Sequence, residues 1–182
     1  KAVGRINGAV CGLPPGAGVL VAGGYNGKGI EASTERFDID SGRWISTAPM
    51  PVEKSGCRGV LLQEAGITLV LGGYDQNHQT LARVDAYDWQ EDKWNATQFP
   101  PMLTARYDCA ACSLPRNRAV VAGGTDSGQS WLQSAEVYDH ALRHWSFLPS
   151  LGVQRDRCAA VGLSLGPAGA VTVLVLGGSS HP

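Results

Sequence analysis

The apolar positions of this chain fall in short runs that end abruptly, and one kind of ending recurs. Val19-Leu20-Val21-Ala22, Leu69-Val70-Leu71, Val120-Val121-Ala122 and Leu174-Val175-Leu176 each stop at a pair of glycines, at 23–24, 72–73, 123–124 and 177–178. The pairs lie about fifty residues apart, a period that belongs to a repeat and has to be explained before any single motif is read. Set against the glycines, the rest of the chain falls into columns. The first three pairs are followed by Glu35-Arg36-Phe37-Asp38, Asp85-Ala86-Tyr87-Asp88 and Glu136-Val137-Tyr138-Asp139, then by Trp44, Trp94 and Trp145, then by Pro49-Met50, Pro101-Met102 and Leu148-Pro149. A basic residue comes next, Lys54, Arg106 or Arg155, with Arg5 in the same column of the first unit. After it the chain turns small and apolar, as in Gly8-Ala9-Val10-Cys11 and Cys109-Ala110-Ala111-Cys112.

Each unit thus holds four short segments rich in β-branched and aromatic residues, separated by Gly, Asn, Asp and Pro. That pattern predicts a four-stranded antiparallel sheet with tight turns. In the third unit the predicted strands are 106–114, 118–123, 134–140 and 144–148. A sheet this small cannot bury both faces alone, and radial stacking of such sheets makes an all-β propeller. The strand of Gly, Ala, Cys and Val suits the crowded axis, and the tryptophans suit the wide outer end. The predicted blades are 5–48, 54–98 and 106–148, with a half blade at 155–182. Three and a half blades do not close a ring of ~4 to 8. The remaining blades are expected from flanking sequence or from a second chain, because an open half-ring exposes strand edges.

The order of basic residue, small-apolar strand, Gly-Gly, Glu-x-Tyr-Asp, Trp and Pro-Met resembles the kelch repeat over nearly the whole chain. The segment around Pro101, Met102, Arg106 and Cys109-Ala110-Ala111 looks like a unit from a ubiquitin-ligase adaptor. The resemblance implies a kelch propeller, six-bladed when complete, that captures a partner protein and performs no chemistry. It also implies a role as substrate receptor of a cullin ubiquitin ligase. Two other classes share the resemblance: an architectural subunit of a large assembly, and a kelch-fold enzyme of the copper oxidase or sialic-acid epimerase type. A copper-radical site needs converging His, Tyr and Cys, and the predicted inner strands hold no His.

Composition narrows the classes further. Net charge is -1, and no basic stretch interleaved with aromatics points to nucleic acid. The longest apolar run, 168–176, is far short of the ~20 residues that span a bilayer. No secretory leader is read at Lys1-Ala2-Val3-Gly4, and a soluble cytoplasmic protein is expected. Of the five cysteines, Cys57, Cys109 and Cys158 share one column and Cys11 and Cys112 another, which reads as core packing in a reducing compartment. Cys109 and Cys112 on one strand point to opposite faces and do not form a metal grip. The stretch Gly23 to Gly29 imitates a phosphate loop but lacks its first Gly and its Ser or Thr, and the recurrence of the double glycine makes its role structural. No metal and no cofactor is expected. Asn95-Ala96-Thr97 matches a glycosylation triplet that the cysteines argue against, and His140 and His144 are expected as exposed turn residues.

The candidate site is what remains once the structural columns are subtracted. The loops after each Gly-Gly, 25–32, 74–80 and 125–133, should emerge at one rim, together with the basic column. The expected partner-binding residues are Arg5, Tyr25, Asn26, Lys54, Ser55, Tyr74, Asp75, Arg106, Tyr107, Thr125, Asp126, Trp131 and Arg155. Arg forks match carboxylates, and Tyr and Trp offer rigid contact area, so an acidic or polar peptide is the expected ligand. The competing reading is that these Arg side chains bond loop carbonyls and hold the rim together. The acidic column, Glu35, Asp85 and Glu136, reads as hydrogen bonding or ion pairing between strands. Lys54 lacks the fork, and Arg58 intrudes on an inner strand, either entering the axial channel or marking an irregular blade.

Overall fold

In the computed structural model, residues 4–95, 98–165 and 170–180 are described. The glycosylation triplet at 95–97 and His181 fall partly or wholly outside the described residues. Three sheets have four strands each: β1 (Ala9–Gly12), β2 (Val19–Ala22), β3 (Thr34–Asp38) and β4 (Arg43–Thr47); β5 (Arg58–Leu62), β6 (Ile67–Leu71), β7 (Val84–Asp88) and β8 (Lys93–Asn95); β9 (Ala110–Leu114), β10 (Arg118–Ala122), β11 (Ala135–Asp139) and β12 (His144–Leu148). A fourth sheet pairs β13 (Ala159–Leu165) with β14 (Ala170–Leu176). Every pairing is antiparallel between sequence neighbours, so each blade is a simple meander. The chain is a partial β-propeller whose inner strands β1, β5, β9 and β13 stand side by side around the axis. Close approach there requires small residues: a Cβ on Gly59 would lie 2.6 Å from the Cβ of Cys11 on the next inner strand.

The inner strands begin later than the sequence pattern predicts. In the third unit β9 starts at Ala110, not at residue 106, because Asp108 has a left-handed backbone with φ 51°. The same position is left-handed in every unit: Asn7 (φ 56°), Gly56 (φ 67°) and Arg157 (φ 51°). These turns are joined across blades by main-chain hydrogen bonds, Gly56 N to Asn7 O at 2.8 Å, Asp108 N to Gly56 O at 2.9 Å and Arg157 N to Asp108 O at 2.7 Å. A collar of backbone bonds therefore rings the mouth of the axial channel.

The cores lie between blades rather than within them. Leu62, Leu71, Phe99, Met102, Tyr138 and Trp145 form one buried cluster between the second and third blades. Leu13, Leu20 and Tyr87, with Trp94 against them, fill the space between the first and second. The tryptophans also bond backwards to the preceding blade: Trp94 Nε1 donates to Ala48 O at 2.8 Å and Trp145 Nε1 to Pro100 O at 3.1 Å. Buried indole N–H groups need such partners, so this column fixes both spacing and angle between blades. All five cysteines are free, and Cys57, Cys109 and Cys158 are buried. His140 departs from the expected exposed turn: its ring is half-buried and stacks on Phe99 with centroids 5.7 Å apart.

Candidate functional site

The double glycines explain where the site can be. Gly23 and Gly24 both have positive φ, 67° and 98°, and a Cβ on either would lie within 2.5 Å of a main-chain oxygen. The second glycine donates to the preceding end of the next blade: Gly24 N to Lys54 O at 2.8 Å, Gly73 N to Arg106 O at 2.9 Å and Gly124 N to Arg155 O at 2.8 Å. Only a chain without side chains can turn there and still reach its neighbour.

That joint corrects the expected role of the basic column. Arg106, Lys54 and Arg5 do not emerge at the rim. Arg106 is fully buried, with Nη1 donating to Gly123 O at 2.7 Å and to Ser134 O at 3.1 Å, and Nη2 to Glu136 Oε1 at 2.6 Å. Lys54 is equally buried, its Nζ 2.6 Å from Asp85 Oδ2. Arg5 donates to Gly23 O at 2.8 Å and lies 3.8 Å from Glu35 Oε2, its side chain 1% exposed. Arg155 is only half-buried, yet its Nη1 makes the same bond, to Gly177 O at 2.8 Å. In the first and third units the basic and acidic residues are two halves of one joint that ties the Gly-Gly turn to the third strand, whereas Lys54 joins Asp85 to Val70 O, 3.5 Å from its Nζ. Ser55 and Thr125 are also buried and present no surface to a partner.

Three further candidates hold their own loops. Asn26 Oδ1 accepts from the backbone N–H of Lys28 at 2.7 Å and Gly29 at 2.9 Å. Asp75 Oδ1 does the same for Asn77 and Gln79, both at 2.9 Å, and Asp126 Oδ1 for Gly128 at 2.8 Å and Ser130 at 2.9 Å. This Asx column preorganises three rim loops in related shapes while leaving their tips to vary.

The surface itself is therefore made by other groups. A cavity of about 280 Å³ opens at the axial mouth, with Tyr74, His78, Tyr107, Asp108, Asp126 and Arg157 among its walls. Tyr74 and Tyr107 meet edge to face at 5.2 Å, and His78 stacks on Tyr74 at 6.0 Å. Arg157 Nε lies 3.5 Å from Asp108 Oδ2 and 3.7 Å from Asp156 Oδ2, with its side chain 71% exposed. Arg58 sits below, its Nε donating to Cys109 O at 2.7 Å and its Nη2 4.0 Å from Asp108 Oδ1, so it braces adjacent inner strands beside the channel. Tyr25 is exposed on the neighbouring loop, and Trp131 borders a shallow cavity with Gln129, Ser130 and Gln154.

Of the residues singled out in the sequence, the structure thus brings Tyr74, Tyr107 and Asp126 to one cavity and sets Tyr25 and Trp131 on flanking loops. Asn7, His78, Asp108 and Arg157 were not singled out. The signal for three of them was present, since Asn7, Gly56, Asp108 and Arg157 hold one column of the repeat between the basic residue and the inner strand. Among the described residues no group of three or more His, Cys, Asp or Glu is placed to hold a metal ion. No helix of the described residues is long and apolar enough to cross a membrane.

The kelch motif model matches residues 19–51 and 105–152 of this chain. The chain belongs to the kelch-repeat family. Kelch-repeat relatives include the F-box/kelch-repeat protein SKIP20 of Arabidopsis thaliana, 34% identical over 115 residues, covering 61% of this chain and 28% of the relative. The kelch repeat-containing protein kel-10 of Caenorhabditis elegans is 30% identical over 148 residues, 80% of this chain and 25% of its own length. The kelch repeat and BTB domain-containing protein 12 of Danio rerio is 32% identical over 136 residues, 67% of this chain and 21% of the relative. The match spans well under half the length of each of these three proteins. The solved structure of YjhT is similar in fold, with a TM-score of 0.74 over 86% of this chain and 56% of its own at 13% identity.

Proposed function

We propose that this kelch chain is a protein-recognition module whose ligand is a segment of a partner protein, held at the rim formed by the loops after each Gly-Gly. The observation that carries this reading is the axial-mouth cavity: loops of two blades and the collar residues of three converge on it with aromatic and charged groups. None of the residues that build the cavity is needed by the Gly-Gly joint. Tyr gives large rigid contact area at little entropic cost, and such groups are enriched where proteins bind one another. The F-box and BTB names of the relatives support extending the reading to an adaptor, with this propeller as the substrate receptor of a ubiquitin ligase. The free cysteines support a reducing, cytoplasmic setting. With Arg5, Lys54 and Arg106 buried, the basic column supplies no cationic rim, and the exposed cations on this surface are Lys28 and Arg157 among others.

The test is affinity capture from lysate with wild type beside a His78→Ala/Tyr107→Ala/Gln129→Ala variant shown to be folded by circular dichroism. The reading expects one partner retained by wild type and lost by the variant. The same captured set on both proteins would overturn it.

A further inference from the structure

A second cavity, of about 420 Å³, opens on the same end between the loops of the first and second blades, walled by Tyr25, Lys28, Ile30, Tyr74, Gln76 and His78. Tyr74 and His78 line both cavities, so the two are one groove divided by their stacked rings. The groove is preorganised. Gln76 Nε2 donates across the blade boundary to Ile30 O at 3.0 Å, and the Asn26 turn fixes the backbone that carries Lys28. Asn26 Nδ2 is in turn hydrogen-bonded to Glu31 Oε1, and Ser33 Oγ donates to Glu31 Oε2 at 2.7 Å.

The two ends of the groove differ in chemistry. The axial end carries Asp108, Asp126 and Arg157. The outer end is lined by Tyr25, Tyr74 and Ile30, with the exposed Lys28 beside them and no carboxylate in its walls. An apolar pocket with one cation at its edge selects a bulky apolar side chain with an anionic neighbour. The apolar burial supplies affinity, and the exposed charge supplies discrimination and association rate.

Building on the rim as the partner-binding surface, we propose that the outer cavity is the specificity pocket for an extended segment of the partner. An aromatic or branched aliphatic side chain enters between Tyr25, Ile30 and Tyr74, and an Asp or Glu of the same segment faces Lys28. In an extended chain, residues two apart lie ~6.5 Å from each other on one side, so the segment continues over the Tyr74-His78 stack towards the axial mouth.

Panning a library of random linear peptides displayed on phage against the folded chain tests this. The enriched peptides are expected to share an aromatic or branched aliphatic residue within two positions of Asp or Glu. Tyr25→Ala should weaken them at least tenfold. Lys28→Glu, at an exposed loop tip, should shift the enriched neighbour to Lys or Arg while the apolar anchor stays. Enriched peptides that ignore Tyr25→Ala and Lys28→Glu but are lost with Tyr107→Ala would overturn the pocket and leave the rim reading standing. Failure to enrich any peptide would overturn the pocket whatever the capture experiment shows.

Discussion

Lys54, Arg106 and their acidic partners show how far a residue's surroundings decide its role. An Arg beside a loop is ordinarily exposed, and in the sequence each basic residue stands roughly thirty residues before its acid, too far to pair them without the strand register. The register sets Val121 opposite Glu136, and the guanidinium of Arg106 fills the gap between that acid and the Gly-Gly carbonyl. Glu136 also accepts from the backbone N–H of Leu103 at 2.8 Å and Thr104 at 3.0 Å, so its charge is fully met only in the folded blade. Arg106→Ala is therefore expected to lower unfolding stability by about 3–5 kcal/mol, the usual cost of leaving one buried charge unpaired. Urea unfolding checks it, and a loss under about 0.5 kcal/mol, typical of exposed sites, would contradict the burial. The cysteines give a second residue-scale prediction. Burial pushes Cys11 up to about 12 and Cys109 and Cys112 up to about 11, from 9.0 for an ordinary thiol. Thiols that stay neutral when folded but ionise when unfolded contribute stability below pH 9 that is lost as pH rises through 9 to 12. Melting temperature should fall across that range, and alkylation of Cys11 and Cys112 by iodoacetamide should stay slow at pH 8.

Among the elements, the tryptophan column was legible in the sequence, because its spacing from the Asp-ended strand is constant and a bulky ring fits only where blades diverge. Its hydrogen bonds were not, since the acceptors Ala48 and Pro100 belong to the preceding blade. Trp145 is 2% exposed and packs on Tyr138 at 5.3 Å. Trp145→Ala is expected to cost about 3–5 kcal/mol, read as a lower denaturation midpoint, without changing rim binding in the surviving folded fraction. The starts of the inner strands were misplaced for a local reason. Asp108 and Arg157 occupy left-handed backbone that their side chains do not announce, and the collar bonds across blades hold them there. Gly73→Ala should disturb the same region: its φ is 97° and an added Cβ would lie 2.7 Å from Ser55 O, so faster hydrogen exchange at 55–57 and 74–75 is the expected readout.

For the whole molecule, the repeat made the propeller readable, because columns that recur at a fixed period report packing rather than chance. The proposed binding surface was readable only in part. Tyr25, Tyr74, Tyr107 and Trp131 stand out as large side chains in loops, whereas the groove depends on which loops the blade geometry sets side by side and on the Gln76 bond that closes them. On the proposed function, the scaffold columns and the recognition surface are separate sets of residues, the first buried between blades and the second on the rim. Hydrogen exchange of this chain, free and with the captured partner bound, tests this separation most directly. Slowed exchange is expected at 25–30, 74–80 and 125–131 and at the cavity-wall residues 107–108 and 157. Protection on the outer strands β4, β8 and β12 with the rim unchanged would contradict it.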